Sequence, residues 1–315
     1  MDARETDVRD LITVEGMSRE SLREVVETAR DFAAGRFDAP LAGKTVCLAF
    51  FEASTRTAAS FELAARRNGA AVISLSENGS SISKGESLVD TVVTLDALGA
   101  DAVVLRHSSA GAARLAARYT SAAVINAGDG CGQHPTQALL DLYALSGACG
   151  GFDELYGTKL AVVGDVLHSR VARSVIPAFR AAGVEVAVCA PATLLPAESD
   201  AWDVPVLESV DECLEWGADT LYALRLQNER MTGALVPSVA EYARYYGVQK
   251  RHLDGERLVM HPGPVNRGVE IAGDVVLDAA SLVPDQVSAG LHVRSAVLAL
   301  ATGAVPSVVA GGAVA

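Results

Sequence analysis

The sequence predicts an α/β protein of two domains, each a mostly parallel sheet with helices on both faces. Three observations predict it. The chain has 315 residues, and at about 150 residues per domain that length suits two. Short, continuously apolar runs alternate with helical runs, the pattern of parallel strands covered on both sides. A Gly-rich segment, Ser146–Gly157 (SGACGGFDELYG), divides the chain into two α/β halves of similar size.

Thr45–Phe51, Ala71–Ser74, Ala102–Leu105 and Ala123–Asn126 are the predicted strands of the first half, each mostly β-branched or apolar. Lys159–Val163, Val184–Cys189, Thr220–Leu224 and Leu258–Met260 are those of the second. Predicted helices lie between them at Ala58–Asn68, Leu88–Leu98, Gly111–Tyr119, Pro135–Leu145, Val171–Ala182 and Val239–Gly247.

Composition narrows the function. Half the residues are hydrophobic and 21% are charged, an ordinary globular balance. The net charge of -13 leaves no broad basic field for nucleic acid or an anionic membrane. Any anion must therefore be held by a local cluster of cations. Five widely spaced cysteines, with no C-x-x-C, argue against a disulfide framework or a structural metal. The charged N-terminus lacks the apolar core of a signal peptide. After Arg294 no charge appears through Ala315, but glycines, Pro306 and many alanines interrupt that stretch. It reads as a packed helix and a frayed tail, and the protein as cytoplasmic.

In open α/β sheets ligands collect at the carboxyl ends of the strands, so the loops there carry the chemistry. The first strand runs into Ser54-Thr55-Arg56-Thr57 and a helix. Ser and Thr there are good caps, exposed N–H groups bind anions, and an Arg adds a two-pronged phosphate partner. This is not a nucleotide P-loop. The third strand ends in Arg106-His107, and the fourth leads to His134-Pro135-Thr136-Gln137. Pro135 suits the first helical position, which makes His134 the N-cap. Singly each is a plain capping loop; together, Arg56, Arg106, His134 and Gln137 suit a small phosphorylated ligand with a carbonyl to polarise. Between them lies a long polar loop from Ser76 to Glu86, including Ser80 and Lys84.

In the second half, Gly164-Asp165-Val166-Leu167-His168-Ser169-Arg170 follows a strand but lacks the glycine fingerprint of a dinucleotide site. It offers Arg170, and the Thr220–Leu224 strand ends at Arg225-Leu226-Gln227. Two arginines at strand ends suit a ligand bearing carboxylates; interdomain salt bridges are the plainer alternative. His261-Pro262-Gly263-Pro264 is a rigid turn able to aim backbone carbonyls at a ligand's N–H groups.

Five motifs in order, 54–57, 134–137, 164–170, 224–230 and 261–264, give the chain a close resemblance over essentially its whole length. It resembles the catalytic chains of the aspartate carbamoyltransferase family, within the aspartate/ornithine carbamoyltransferase superfamily. The resemblance implies a carbamoyl phosphate domain (1–146 plus about 285–305), an aspartate domain (147–284), and a C-terminal helix, about Asp285–Ala301, returning to the first. It implies that Ser54, Thr55, Arg56 and Thr57 cradle the phosphate. Thr57, Arg106 and His134 would donate to the carbamoyl oxygen, while Gln137 and the Gly263 and Pro264 carbonyls hold the carbamoyl amide. Arg56, Thr57, Arg106 and His134 are thereby the catalytic set. Arg170, Arg225 and Gln227, with Lys84 from a neighbour, would bind L-aspartate. Ser80 and Lys84 would reach into the neighbouring subunit's site of a homotrimer, which regulatory chains or a dihydroorotase could join.

The implied reaction makes N-carbamoyl-L-aspartate and phosphate, a step of pyrimidine synthesis, without metal or cofactor. The ornithine-specific sibling typically carries His-Cys-Leu-Pro where this chain has His261-Pro262-Gly263-Pro264. A cationic ornithine side chain would also sit badly beside Arg225 and Lys84. The remaining rivals are a transcarbamylase for another anionic amino acid and a silent homologue acting as a binding subunit. The second is disfavoured because every matched cation is present.

Overall fold

The structure is a computed structural model and describes residues 9–76, 86–197, 199–227, 236 and 238–305. The chain forms two compact units, one of residues up to Tyr143 together with Ser288 onward, the other Ala144–Val287.

The first unit is built on four parallel strands, β1 (Thr45–Phe50), β2 (Ala71–Ser76), β3 (Ala102–His107) and β4 (Ala123–Asp129), in the order β2-β1-β3-β4. β4 stands at the other end of the order yet is buried along its whole length, because the N-terminal segment at Leu11 pairs alongside it at Ile125. β2, at the edge, is the most exposed. Asn126 donates its backbone N–H to Leu11 and its side-chain amide to Ile12, tying the N-terminal segment beside β4.

The helices are α1 (Arg19–Ala33), α2 (Thr55–Arg67), α3 (Leu88–Ala97), α4 (Ala112–Ala116), α5 (Pro135–Ala148) and, from the C-terminus, α9 (Val283–Ala301). α1 is absent from the predicted elements. Its buried residues, Leu22, Val25, Val26 and Ala29, recur at one-turn spacing, and Ser18 caps it by accepting from the Ser21 N–H. α9 packs in this unit, as expected: the Asn68 amide at the end of α2 donates to Ser295 Oγ at 3.0 Å, and the His292 ring lies 6.4 Å from that of Tyr143 on α5.

The second unit has five parallel strands, β5 (Lys159–Val163), β6 (Glu185–Cys189), β7 (Val206–Leu207), β8 (Thr220–Ala223) and β9 (Leu258–Met260), in the order β7-β6-β5-β8-β9. Around them lie α6 (Ala172–Ala181), α7 (Val210–Glu215) and α8 (Val239–Tyr246). One core joins Ala161, Val163 and Leu221 of the sheet to Val210 and Cys213 of α7.

Several predicted boundaries shift, β2 and β4 running on to Ser76 and Asp129 and α4 shortening to Ala112–Ala116, and two shifts bear on the site and the division of the chain. β3 continues past Leu105 to His107, because its register with β4 slips between Leu105 and His107 and the strand carries on beyond the irregularity. Ser146, Gly147 and Ala148, read as the start of the Gly-rich separator, are the last turn of α5, with Ser146 fully buried. Among the described residues, no helix is long and apolar enough to cross a membrane and no cluster of three His, Cys, Asp or Glu residues could hold a metal ion.

Candidate active site

In the first unit, the carboxyl ends of β1, β3 and β4 bring the predicted polar residues together. Ser54 is the N-cap of α2 in extended backbone, as its position predicts, but its hydroxyl makes no capping hydrogen bond. The helix start thus keeps N–H groups that its own cap does not occupy, together with the positive end of the helix dipole. Arg56 is exposed on that turn and Thr57 is buried beneath it.

Arg106, near the end of β3, is buried and ties that strand to β4 and to the loop after β1. Its Nη1 donates to the Ala127 carbonyl at 3.1 Å and its Nη2 pairs with Glu52 Oε1 at 3.0 Å. These bonds fix the plane of the guanidinium.

The approach to His134 is shaped by Asp129. Its two carboxylate oxygens accept from the Gly111 N–H at 2.6 Å, the Gln133 N–H at 2.8 Å and the Asn126 amide at 3.0 Å. α5 then starts at Pro135, and the Gln137 N–H donates to the His134 carbonyl at 3.0 Å, which puts His134 at the N-cap as the Pro135 rule predicts. His134 and Gln137 are both buried, and Gln137 Nε2 donates to Asp141 Oδ1 at 2.9 Å, one turn on. The first unit thus offers cations, a buried imidazole and helix N–H groups, the donors that a phosphate and a polarised carbonyl demand.

In the second unit the centre is Asp165, fully buried after β5. Its carboxylate accepts from the backbone N–H of His168 at 3.2 Å and of Gln227 at 3.1 Å, and lies 2.9 Å from His168 Nδ1. Gln227 Nε2 returns to the His168 carbonyl at 3.1 Å. The loop carrying Arg170 and the loop carrying Arg225 are therefore laced together through one carboxylate. Arg170 is buried and Arg225 half-buried.

Gly164, just before Asp165, has φ +122, and a Cβ there would lie 2.6 Å from Tyr242 Oη and 2.9 Å from the Leu224 carbonyl. Gly164→Ala is expected to cost about 1–3 kcal/mol from backbone strain alone, more with the clash. Thermal unfolding of the purified variant checks it; an unchanged midpoint would contradict the strain.

Below β9, His261 is almost wholly buried. Its Nδ1 accepts from the Gly263 N–H at 2.8 Å, so the ring proton is assigned to Nε2, which faces Glu270 Oε1 at 3.2 Å. The same oxygen accepts from the Asn266 N–H at 2.6 Å. The turn bearing Gly263 and Pro264 is thus pinned from both ends. Ser80 and Lys84 lie outside the described residues.

Sequence reasoning gave no role to Glu52, Asp129, Asp141, Asp165 or Glu270. Each is an acidic residue that orients a predicted site residue or its loop. Two left a legible signal: Asp141 by its four-residue helical spacing from Gln137, and Asp165 by its place in the 164–170 motif.

Two family profiles match, "Aspartate/ornithine carbamoyltransferase, carbamoyl-P binding domain" over residues 9–146 and "Aspartate/ornithine carbamoyltransferase, Asp/Orn binding domain" over 156–301. The chain belongs to the aspartate/ornithine carbamoyltransferase family. Among its relatives, the aspartate carbamoyltransferase catalytic subunit of Rubrobacter xylanophilus is 76% identical over 302 residues, 96% of this chain and 99% of that one. That of Methylorubrum populi is 48% identical, covering 93% and 95%. Among solved structures, the catalytic subunit of M. jannaschii aspartate transcarbamoylase superposes with a TM-score of 0.78 at 36% identity, covering 92% and 96%. Ornithine carbamoyltransferase from Pyrococcus furiosus gives 0.82 at 27% identity, covering 96% and 99%. The fold is common to both acceptor classes, so the choice between them rests on sequence and site.

Proposed function

We propose that this chain transfers the carbamoyl group of carbamoyl phosphate to the α-amine of L-aspartate, giving N-carbamoyl-L-aspartate and phosphate. The observation that carries the reading is the anion site of the first unit. There Arg106 is held in a fixed plane beside an α2 N-terminus that its own cap residue leaves open. Such a site is built before the ligand arrives, which is what electrostatic stabilisation of a transition state needs.

In this reading Ser54, Thr55, Arg56 and Thr57 bind the phosphate, and Thr57, Arg106 and His134 donate to the carbamoyl oxygen. The neutral α-amine of aspartate attacks the carbamoyl carbon. Charge builds on the oxygen, the C–O bond to phosphate breaks, and the leaving phosphate accepts the amine proton. A single oxyanion donor is typically worth about 3–4 kcal/mol. Fixing both substrates in attack geometry supplies about 7–11 kcal/mol more. Arg170, Arg225 and Gln227, on loops laced through Asp165, bind the two carboxylates of aspartate.

Carbamoyl phosphate labelled with ¹³C, supplied with aspartate, should give labelled N-carbamoyl-aspartate and phosphate in equal amounts. Phosphate released without carbamoyl-aspartate would make the chain a phosphatase and overturn the reading.

The shared-site reading extends the proposal to a homotrimer in which Ser80 and Lys84 complete a neighbour's site. Arg56→Ala and Lys84→Ala should each be nearly inactive alone. Dissociated together and reassembled at random, they should regain roughly a quarter of wild-type activity, since each site draws one residue from each of two adjacent subunits. No recovery in verified mixed trimers would place both residues in one subunit's site.

A further inference from the structure

Arg294, on α9, is 4% exposed, and α9 carries no other cation. A buried guanidinium is costly unless something requires it. Its Nη1 donates to Ser60 Oγ at 2.5 Å, and Ser60 in turn donates to the Arg56 carbonyl at 2.6 Å. The guanidinium also lies 5.2 Å from the centre of the Phe61 ring. Through Ser60 it therefore grips the first turn of α2, the turn bearing Arg56 and Thr57.

The charges around it are those of the anion site. Asp141 supports its positive charge, while Arg106 and Arg56 oppose it. Burial first, and those two arginines with it, pull Arg294 down to about 10, so it remains charged at neutral pH. Asp141 is also the acceptor of Gln137 Nε2. α9 makes room for the group: a Cβ at Gly290 would lie 2.6 Å from Arg294 Nη1. Three arginines set against the carboxylates of Asp141 and Glu52 leave a net positive charge that an arriving dianion would relieve.

We propose that Arg294 is a positioning residue of the carbamoyl phosphate site, holding the phosphate-binding turn of α2 through Ser60 and adding a buried positive charge to the field of that pocket without touching the ligand. The inference rests on the first unit binding carbamoyl phosphate. A residue that merely glued α9 to α2 would affect stability and nothing else.

The test compares Arg294→Met, Arg294→Lys and Ser60→Ala with the wild-type chain. The readouts are the KM for carbamoyl phosphate, inhibition by inorganic phosphate, the KM for aspartate at saturating carbamoyl phosphate, and the thermal midpoint. Arg294→Met is expected to weaken both carbamoyl phosphate and inorganic phosphate by about 10- to 100-fold, through lost charge and a loosened turn. The KM for aspartate should stay within about threefold. Arg294→Lys keeps the charge and should restore phosphate inhibition to within about fivefold of wild type. Ser60→Ala keeps the charge and cuts the relay, and should weaken phosphate by about three- to tenfold; it carries the test if the Met variant fails to fold.

Unchanged phosphate inhibition in the folded Met variant, or in Ser60→Ala if Met does not fold, would overturn the inference, whatever the thermal midpoint. A wild-type chain that turns over carbamoyl phosphate and aspartate while these variants keep normal phosphate affinity sinks only this role. A wild-type chain with no turnover sinks the proposed function itself.

Discussion

Arg106→Ala is expected to lower kcat by about 10³ and to raise the KM for carbamoyl phosphate at least tenfold. The first effect is the loss of a donor to the developing oxyanion, worth about 10²–10³ in kcat for a single group. The second follows from the geometry. Arg106 pairs with Glu52 at 3.0 Å, so truncation removes a positive charge beside that carboxylate and makes the anion site more negative. The Ala127 carbonyl loses its donor as well, which loosens the start of the loop leading to His134. Arg106→Lys should fall between, because an ammonium keeps the charge but cannot reach both partners in one plane. Steady-state kinetics with both substrates varied checks this. A loss of less than tenfold in kcat/KM, in a variant that unfolds at the wild-type temperature, would remove Arg106 from the reacting centre.

The second large effect is expected at the acceptor. Arg225→Ala should raise the KM for aspartate and lower kcat, because the contact places the amine as well as binding the carboxylate. Removing one partner of a close charge pair typically costs about 2–4 kcal/mol, or about 30- to 10³-fold in kcat/KM for aspartate. Affinity for carbamoyl phosphate should change far less. The backbone of this loop is held independently, by the Gln227 N–H on Asp165, so the variant should keep the loop's shape. Normal aspartate kinetics in Arg225→Ala would detach the second unit's arginines from the acceptor.

What the sequence made legible, and what it hid, follow from the range of the interactions. β5 and β9 match their predicted limits because continuous apolar runs bounded by polar residues leave little choice. The N-cap position of His134 was readable from Pro135, a local constraint on backbone angles. α1 escaped because its apolar stripe is narrow and eight of its fifteen residues are Arg, Glu, Asp, Ser or Thr other than its buried Glu24. The extension of β3 depends on pairing Arg106 with Phe50 of β1 and His107 with Asp129 of β4, and no local pattern encodes such long-range pairs or a register slip. The roles of Asp165 and Glu270 stayed hidden for a similar reason. Asp165 stands in a legible motif but reaches Gln227 across 62 positions, and the Glu270 side chain meets His261 only when the turn closes. Short motifs announce the groups that meet a ligand, whereas the carboxylates that hold those groups still become visible only in three dimensions.

In the proposed reaction the acceptor is aspartate, chosen by cations in the second unit. The choice is read out by kcat/KM for L-aspartate and for L-ornithine, determined on the same preparation at saturating carbamoyl phosphate. Turnover with aspartate is expected to be at least about 10³-fold more efficient, the scale that follows when a site built for a carboxylate meets a cation instead. Equal efficiency, or a preference for ornithine, would contradict it.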